Sequence, residues 1–250
     1  MLSPDPTCLL ALDTATDLVH LALITPERVQ SRVVAGGAQA SATTLPQLQD
    51  LLAQAQLGWS DVQAVAFGRG PGAFTGLRTA CSVTQGLALG LEIPVIALDT
   101  LMAVAESARR QHPGLAAWLA SDANAVLWVL QDARMSEVYA AAYRWQADQG
   151  WQCGVAPCLW SLPVLREQIE SGAVHAAAGS ALRAYPDEVA SLRGPAVPEA
   201  CPDGEALGAL AQAAWRRGEC LDAALALPLY VRDKVAQTTA ERVAAREAST

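Results

Sequence analysis

The sequence predicts a mixed α/β protein, and three observations carry that prediction. Three apolar runs joined by short turns open the chain and read as an antiparallel meander. With them, the first half reads β-β-β-α-β-α-β-α, which is neither strict βαβ alternation nor all-β. Hydrophobic residues make up 52% of the 250 residues and charged residues only 17%, enough apolar surface for a sizeable interior.

Cys8 to Leu12 is continuously apolar, as a strand buried on both faces should be. Asp13-Thr14-Ala15-Thr16-Asp17 is a turn, Leu18 to Ile24 a second strand, and Arg28 to Val34 a third. Ser41 to Gln56 reads as a helix. Ser41, Thr43 or Thr44 could cap it, Pro46 suits a first turn, and Leu45, Leu48, Leu52 and Ala55 share one face. Val62 to Phe67 is a strand, Thr75 to Leu91 a long helix, and Pro94 to Leu98 a strand. Thr100 is placed to cap a helix ending near Gln111.

His112-Pro113-Gly114 breaks the pattern and divides the chain into subdomains, 1–111 and 112–250. Further on, Ala125 to Gln131 and Glu137 to Trp145 are strands and Gly150 marks a turn. Leu162 to Glu170 is helical, Val174 to Ala178 a strand, and Gly204 to Arg217 a helix. The charged tail after Glu241 is expected to fray. No internal sequence repeat is visible.

Composition excludes several functions. The net charge is -8, from 25 acids and 17 bases, so the chain lacks the basic surface that gripping nucleic acid alone requires. Lys234 is the only lysine and lies in the C-terminal tail, which argues against a lysine nucleophile. The six cysteines are scattered without zinc spacing and fit a reduced, cytoplasmic setting. The N-terminus lacks the basic region of a signal peptide, and no apolar stretch reaches the ~20 residues of a membrane span. The three histidines stand apart, so no metal site is expected. No Walker-type phosphate loop and no nucleophile elbow occur.

Three features remain. The first is the loop Gly68-Arg69-Gly70-Pro71-Gly72-Ala73-Phe74, which leads from a strand into a helix with Thr75 and Gly76 in its first turn. Glycines let backbone approach a ligand, and a helix N-terminus offers unpaired N–H groups. A tight strand-to-helix turn needs the same residues. The second is the Asp13–Thr16 turn, where a carboxylate and two hydroxyls can meet phosphate or magnesium, or can bond neighbouring backbone. Asp13, Thr14, Thr16, Arg69, Gly70, Gly72, Thr75 and Gly76 are the candidate phosphate-facing residues.

The third feature is the Thr75–Leu91 helix, whose only charge is Arg78. A helix on its own sheet needs one apolar stripe; this one is apolar or small all round. Gly86 and Gly90 would let another helix approach closely. The helix from Ser41 carries Asp50 alone. Together they form a candidate partner face with Leu45, Leu48, Leu52, Thr79, Val83, Gly86, Leu87 and Gly90.

Several segments resemble the TsaB (YeaZ) family. Leu10-Ala11-Leu12-Asp13-Thr14-Ala15-Thr16 is similar to its opening, and Gly68 to Arg78 resembles its hallmark G-R-G-P-G-S-F-T-G-[LV]-R, with Ala73 for the usual Ser. Gln85 to Ala88, Asp132 to Tyr139 and Pro228 to Arg232 resemble further segments in the same order. Ala40-Ser41 departs from the family, which often has a His before this Ser or Thr.

The resemblance implies an actin-like (ASKHA, RNase H-like) fold of two related subdomains. It implies a non-catalytic scaffold that pairs through helices with the catalytic subunit TsaD, and with the ATPase TsaE, in threonylcarbamoyl transfer to adenosine beside the tRNA anticodon. No tightly bound cofactor is expected. ATP or ADP is a candidate at the complex interface, tRNA is reached through the complex, and a homodimer is expected where TsaD is missing. Two alternatives compete: a free-standing ATPase or phosphotransferase using Asp13 for magnesium, and a purely structural homo-oligomer.

Overall fold

The computed structural model describes residues 8–232. The N-terminal segment, Lys234 and the tail after Glu241 lie outside the described residues.

The first lobe begins with β1 (Leu9–Asp13), β2 (Leu18–Ile24) and β3 (Val29–Ala35), an antiparallel meander as the sequence predicts. Then come α1 (Ala40–Gln54), β4 (Ala64–Gly68), α2 (Phe74–Leu91) and β5 (Val95–Leu98). β4 pairs parallel with β1 and with β5, giving the sheet order β3-β2-β1-β4-β5. α3 (Thr100–Gln111) and α4 (Pro113–Ser121) lead to the second lobe. That lobe contains β6 (Leu127–Asp132), β7 (Glu137–Gln146), β8 (Gly150–Ser161), α5 (Leu162–Glu170), β9 (Ala176–Ala178), α6 (Ala181–Ala184), β10 (Ala196–Val197) and α7 (Gly204–Arg216).

The second sheet has the order β10-β9-β6-β7-β8. Replacing β1–β5 by β6–β10 converts the first order into the second, with the same parallel and antiparallel pairs. The subdomains are therefore two copies of one topology, the actin-like arrangement, although no sequence repeat is visible.

Both faces of both sheets are covered. On the first sheet Leu10, Leu12, Val19, Leu21, Leu23, Val65 and Phe67 pack under α1 and α2. The alternate residues Leu9, Ala11, Ala22, Ile24, Ala64, Ala66 and Ile96 pack under α7. On the second, Leu127, Val129, Ala141 and Tyr143 lie under α3 and α4, and Trp128, Leu130, Ala140 and Ala142 under α5 and α6. This double burial explains why β1 is continuously apolar rather than alternating.

The lobes exchange helices. α3 comes after the first sheet but covers the second, while α7 comes after the second sheet but covers the first, and the two pack together between them. A cut after residue 111 separates α3 from the sheet it covers.

Three local expectations are corrected. α1 starts at Ala40, not at a Ser or Thr cap; Thr44 instead donates to the Ala40 carbonyl (2.6 Å), and Pro46 lies inside the helix. Asp99, not Thr100, caps α3, accepting from the N–H groups of Leu101 (2.9 Å) and Met102 (3.4 Å). The helix does break at His112: α3 ends at Gln111, and Pro113 opens a new helix, α4, where its missing N–H costs nothing. Gly150 begins the twelve-residue β8, which Gly154 and Pro157 disguise. β8 is an edge strand with register shifts opposite Ala140–Tyr143, where glycine and proline are tolerated.

Candidate functional site

The first hairpin and the Gly-rich loop form one packed unit. Asp13 ends β1 with 0% exposure. Its Oδ1 accepts the Ala15 N–H (2.8 Å) and its Oδ2 the Thr100 hydroxyl (2.7 Å). The Thr100 oxygen in turn accepts the Gly70 N–H (3.0 Å). A Cβ on Gly68 would collide with the Asp13 carboxylate, and one on Gly76 with the Thr14 carbonyl. Thr14 donates to the Gly76 carbonyl (2.6 Å), and the Ala73 N–H to the Ala15 carbonyl (2.8 Å). The glycines thus serve close approach of backbone to backbone within the chain.

Burial pushes the Asp13 carboxyl up to about 6, against the lowering effect of its two hydrogen bonds. Asp13 is fully buried, and each of its carboxylate oxygens accepts a hydrogen bond from within the chain. Among the described residues no cluster of His, Cys, Asp or Glu could hold a metal.

Between the lobes lies a cleft of about 670 Å3. It is lined by the β1–β2 turn, the start of α2, the β6–β7 turn, the segments around α6 and Pro198–Cys201, and the C-terminal residues up to Arg232. Of the eight phosphate-facing candidates, Thr16 and Gly72 line it. Asp13, Thr14 and Gly70 are buried, Gly76 is packed against Thr14, and Arg69 and Thr75 are exposed outside the cleft.

The second lobe supplies what sequence reasoning missed. Asp132, at the end of β6, is placed like Asp13: its Oδ1 accepts the Arg134 N–H (2.8 Å), two residues on. It also accepts the Tyr185 hydroxyl (2.8 Å). The Arg134 guanidinium lies 3.3 Å from Asp132 and reaches across the cleft to Asp17 at 3.5 Å. Arg134, Met135 and Ser136 all have left-handed backbone, with φ of 62°, 55° and 58°. The available signal was the repeated pattern of a β-strand ending in Asp before a hairpin. His20, also on the cleft wall, is 2% exposed and its ring nitrogens have no partner among the described residues; burial lowers its pKa and keeps it neutral.

The candidate partner face divides. Leu48 (0% exposed) and Leu52 (2%) turn into the core above the sheet, so they leave the outer face. Val83 and Leu87 are half-buried against that core, and Thr79 is half-buried too. Leu45, Gly86 and Gly90 are exposed. Leu89, not anticipated, is 64% exposed. Among the described residues a Cβ on Gly86 or Gly90 would meet nothing within 4 Å, so neither glycine serves packing against them.

Fold and site together define a two-lobed actin-like protein whose first hairpin is sealed and whose paired helices α1 and α2 present an uncovered face. The family model for TsaD, tRNA N6-adenosine threonylcarbamoyltransferase, matches residues 35–152. The Escherichia coli K12 tRNA threonylcarbamoyladenosine biosynthesis protein TsaB is 33% identical over 180 residues, 72% of this chain and 74% of that protein. Its Haemophilus influenzae counterpart is 41% identical over 133 residues, 52% of this chain and 51% of that protein. A Pseudomonas aeruginosa crystal structure, described as an uncharacterized protein with similarity to peptidase YEAZ, superposes with a TM-score of 0.77 at 34% identity. It covers 90% of this chain and 100% of that one. The Pseudomonas aeruginosa YeaZ structure gives 0.74 at 31% identity, covering 90% and 99%. The chain belongs to the TsaB family.

Proposed function

We propose that this chain is the non-catalytic, activating subunit of the complex that makes N6-threonylcarbamoyladenosine in tRNA, pairing with TsaD through the outer face of α1 and α2, with TsaE joining them. The observation that carries the reading is the open space around Gly86 and Gly90. A glycine inside a helix costs roughly 0.5–1 kcal/mol against alanine. Two of them with no neighbour among the described residues make sense where a second helix comes close. Leu89, between the two glycines, is 64% exposed, and Leu45 of α1 is 43% exposed.

The sealed Asp13 supports a scaffold rather than a free-standing phosphotransferase. ATP or ADP then belongs to the boundary with the partner subunits. tRNA is met through the complex, in keeping with the net charge of -8, and the site of action is the cytoplasm. The reading is tested by reconstitution: TsaD, TsaE and tRNA with and without this chain. Modification that depends on the chain, together with a co-eluting pair with TsaD in size-exclusion chromatography, is the expected result. Modification that proceeds equally well without it, and no pairing, overturns the reading. A homodimer seen only when TsaD is left out is the expected behaviour of the same face.

A further inference from the structure

Beyond α7 the chain runs back across both lobes. Leu221 forms an antiparallel bridge with Val95, at 3.0 and 2.8 Å. The short turn Ala223–Leu225 packs against α2, and the Ala226 carbonyl accepts the Gln85 amide (3.2 Å). The Leu229 N–H donates to the Arg69 carbonyl (2.7 Å). The Tyr230 ring sits 5.3 Å from Phe74 in the first turn of α2. Its hydroxyl accepts from Arg78 Nε (3.0 Å), and that guanidinium lies 3.9 Å over the Phe74 ring.

Two residues later the chain crosses to the other lobe. The Arg232 guanidinium donates to the Glu137 carboxylate and to the carbonyls of Ala133 (2.9 Å) and Arg134 (3.4 Å). These acceptors are the β6–β7 turn itself. That turn holds three successive non-glycine residues in left-handed backbone, a strained conformation that persists only if its surroundings hold it. Arg134 of the same turn faces Asp17 across the cleft mouth. Other polar ties between the lobes among the described residues, Tyr143 to Asp99, Trp151 to Glu106, Ser107 and Gln111 to Asp203, and Arg110 to Glu205, involve α3 or its cap and do not line the cleft.

We propose that residues 221–232 form a strap that couples the start of α2, on one wall of the cleft, to the β6–β7 turn on the other: an occupant of the α2 face that holds Tyr230 against Phe74 and Arg78 thereby holds Arg232 on the β6–β7 turn and keeps the lobes together. The occupant rests on the partner-face reading above. The coupling is a property of this chain alone and is tested without a partner.

The test is hydrogen exchange by mass spectrometry on the full chain, alone. Tyr230→Ala removes the ring contact with Phe74 and the hydrogen bond from Arg78, both on α2. It is expected to speed exchange of the 133–137 segment roughly tenfold, the loss of one net hydrogen-bond-sized tie. Arg232→Gln is expected to speed the same segment. The double variant should exceed the larger single effect by little, since the two act through one strap. Tyr230→Phe keeps the ring and drops only the bond from Arg78. It provides a fold-preserving control and is expected to give a smaller rise in the same segment. Faster exchange confined to residues 74–78, or full additivity, overturns the coupling. Failure to pair with TsaD would leave this result standing, so the two readings fail separately.

Discussion

The two lobes share one strand order and differ in the helices that flank the fourth strand of each sheet. In the first lobe β4 leads into the 18-residue α2; in the second, the equivalent β9 leads into the four-residue α6. The helix before that strand is also longer in the first lobe, with 15 residues in α1 against 9 in α5. The hairpin carboxylates differ as well. Asp13 is wholly buried under the Gly-rich loop, while the Asp132 side chain is 14% exposed and reached by Tyr185 and Arg134. One lobe has therefore become a platform with a sealed hairpin. The other keeps a short, strained turn at the cleft. Duplicated topology fixes where helices and hairpins go, and side-chain burial decides which of them face outward.

The sharpest way to break this comparison is within α1. Leu48 is fully buried and Leu45, three residues earlier, is 43% exposed. Leu48→Ala is expected to cost about 2–5 kcal/mol in urea unfolding, as other buried leucines do. Leu45→Ala is expected to cost under about 0.5 kcal/mol. Equal losses would mean that α1 has no free face.

The next test concerns the sealed carboxylate. The folded Asp13 titrates at about 6 instead of 3.8, so between those values the native state holds more protons than the unfolded chain. Its contribution to stability is therefore present in acid and is lost as pH rises from about 4 to about 6, by up to roughly 3 kcal/mol at 1.36 kcal/mol per unit. Asp13→Asn is expected to flatten that part of the stability–pH curve. An unchanged slope would show Asp13 to be solvated, and would restore it as a ligand for a cation.

The smallest effect is the most diagnostic of the platform. Gly86→Ala places a methyl group in open space and removes a helix-interior glycine. Thermal unfolding of the isolated chain is expected to show a gain of roughly 0.5–1 kcal/mol. A loss would place Gly86 against its own chain.

Much of this was legible in the sequence. Helix Leu162–Glu170 and the turn at Asp13 were readable because apolar runs and turn residues carry local signals. The shortage of charge on α1 and α2 was readable, yet the inward aim of Leu48 and Leu52 was not, because both sides of α1 carry leucine. Nor was the role of the glycines legible: close approach to a ligand and close approach to the next hairpin demand the same residue. β8 was hidden by Gly154 and Pro157, whose tolerance depends on edge position, a property of the assembled sheet. The tie from Arg232 to Glu137 spans 95 positions and leaves no local trace.

The central claim is that the strip around Gly86 is kept open for TsaD. Gly86→Arg puts a long cation into that strip, and titration calorimetry against TsaD measures the consequence while circular dichroism monitors the fold. The account predicts an unchanged fold and affinity weakened about a hundredfold, the order expected when a charge is forced into a close helix contact. A folded variant that binds TsaD as tightly as the parent would contradict it.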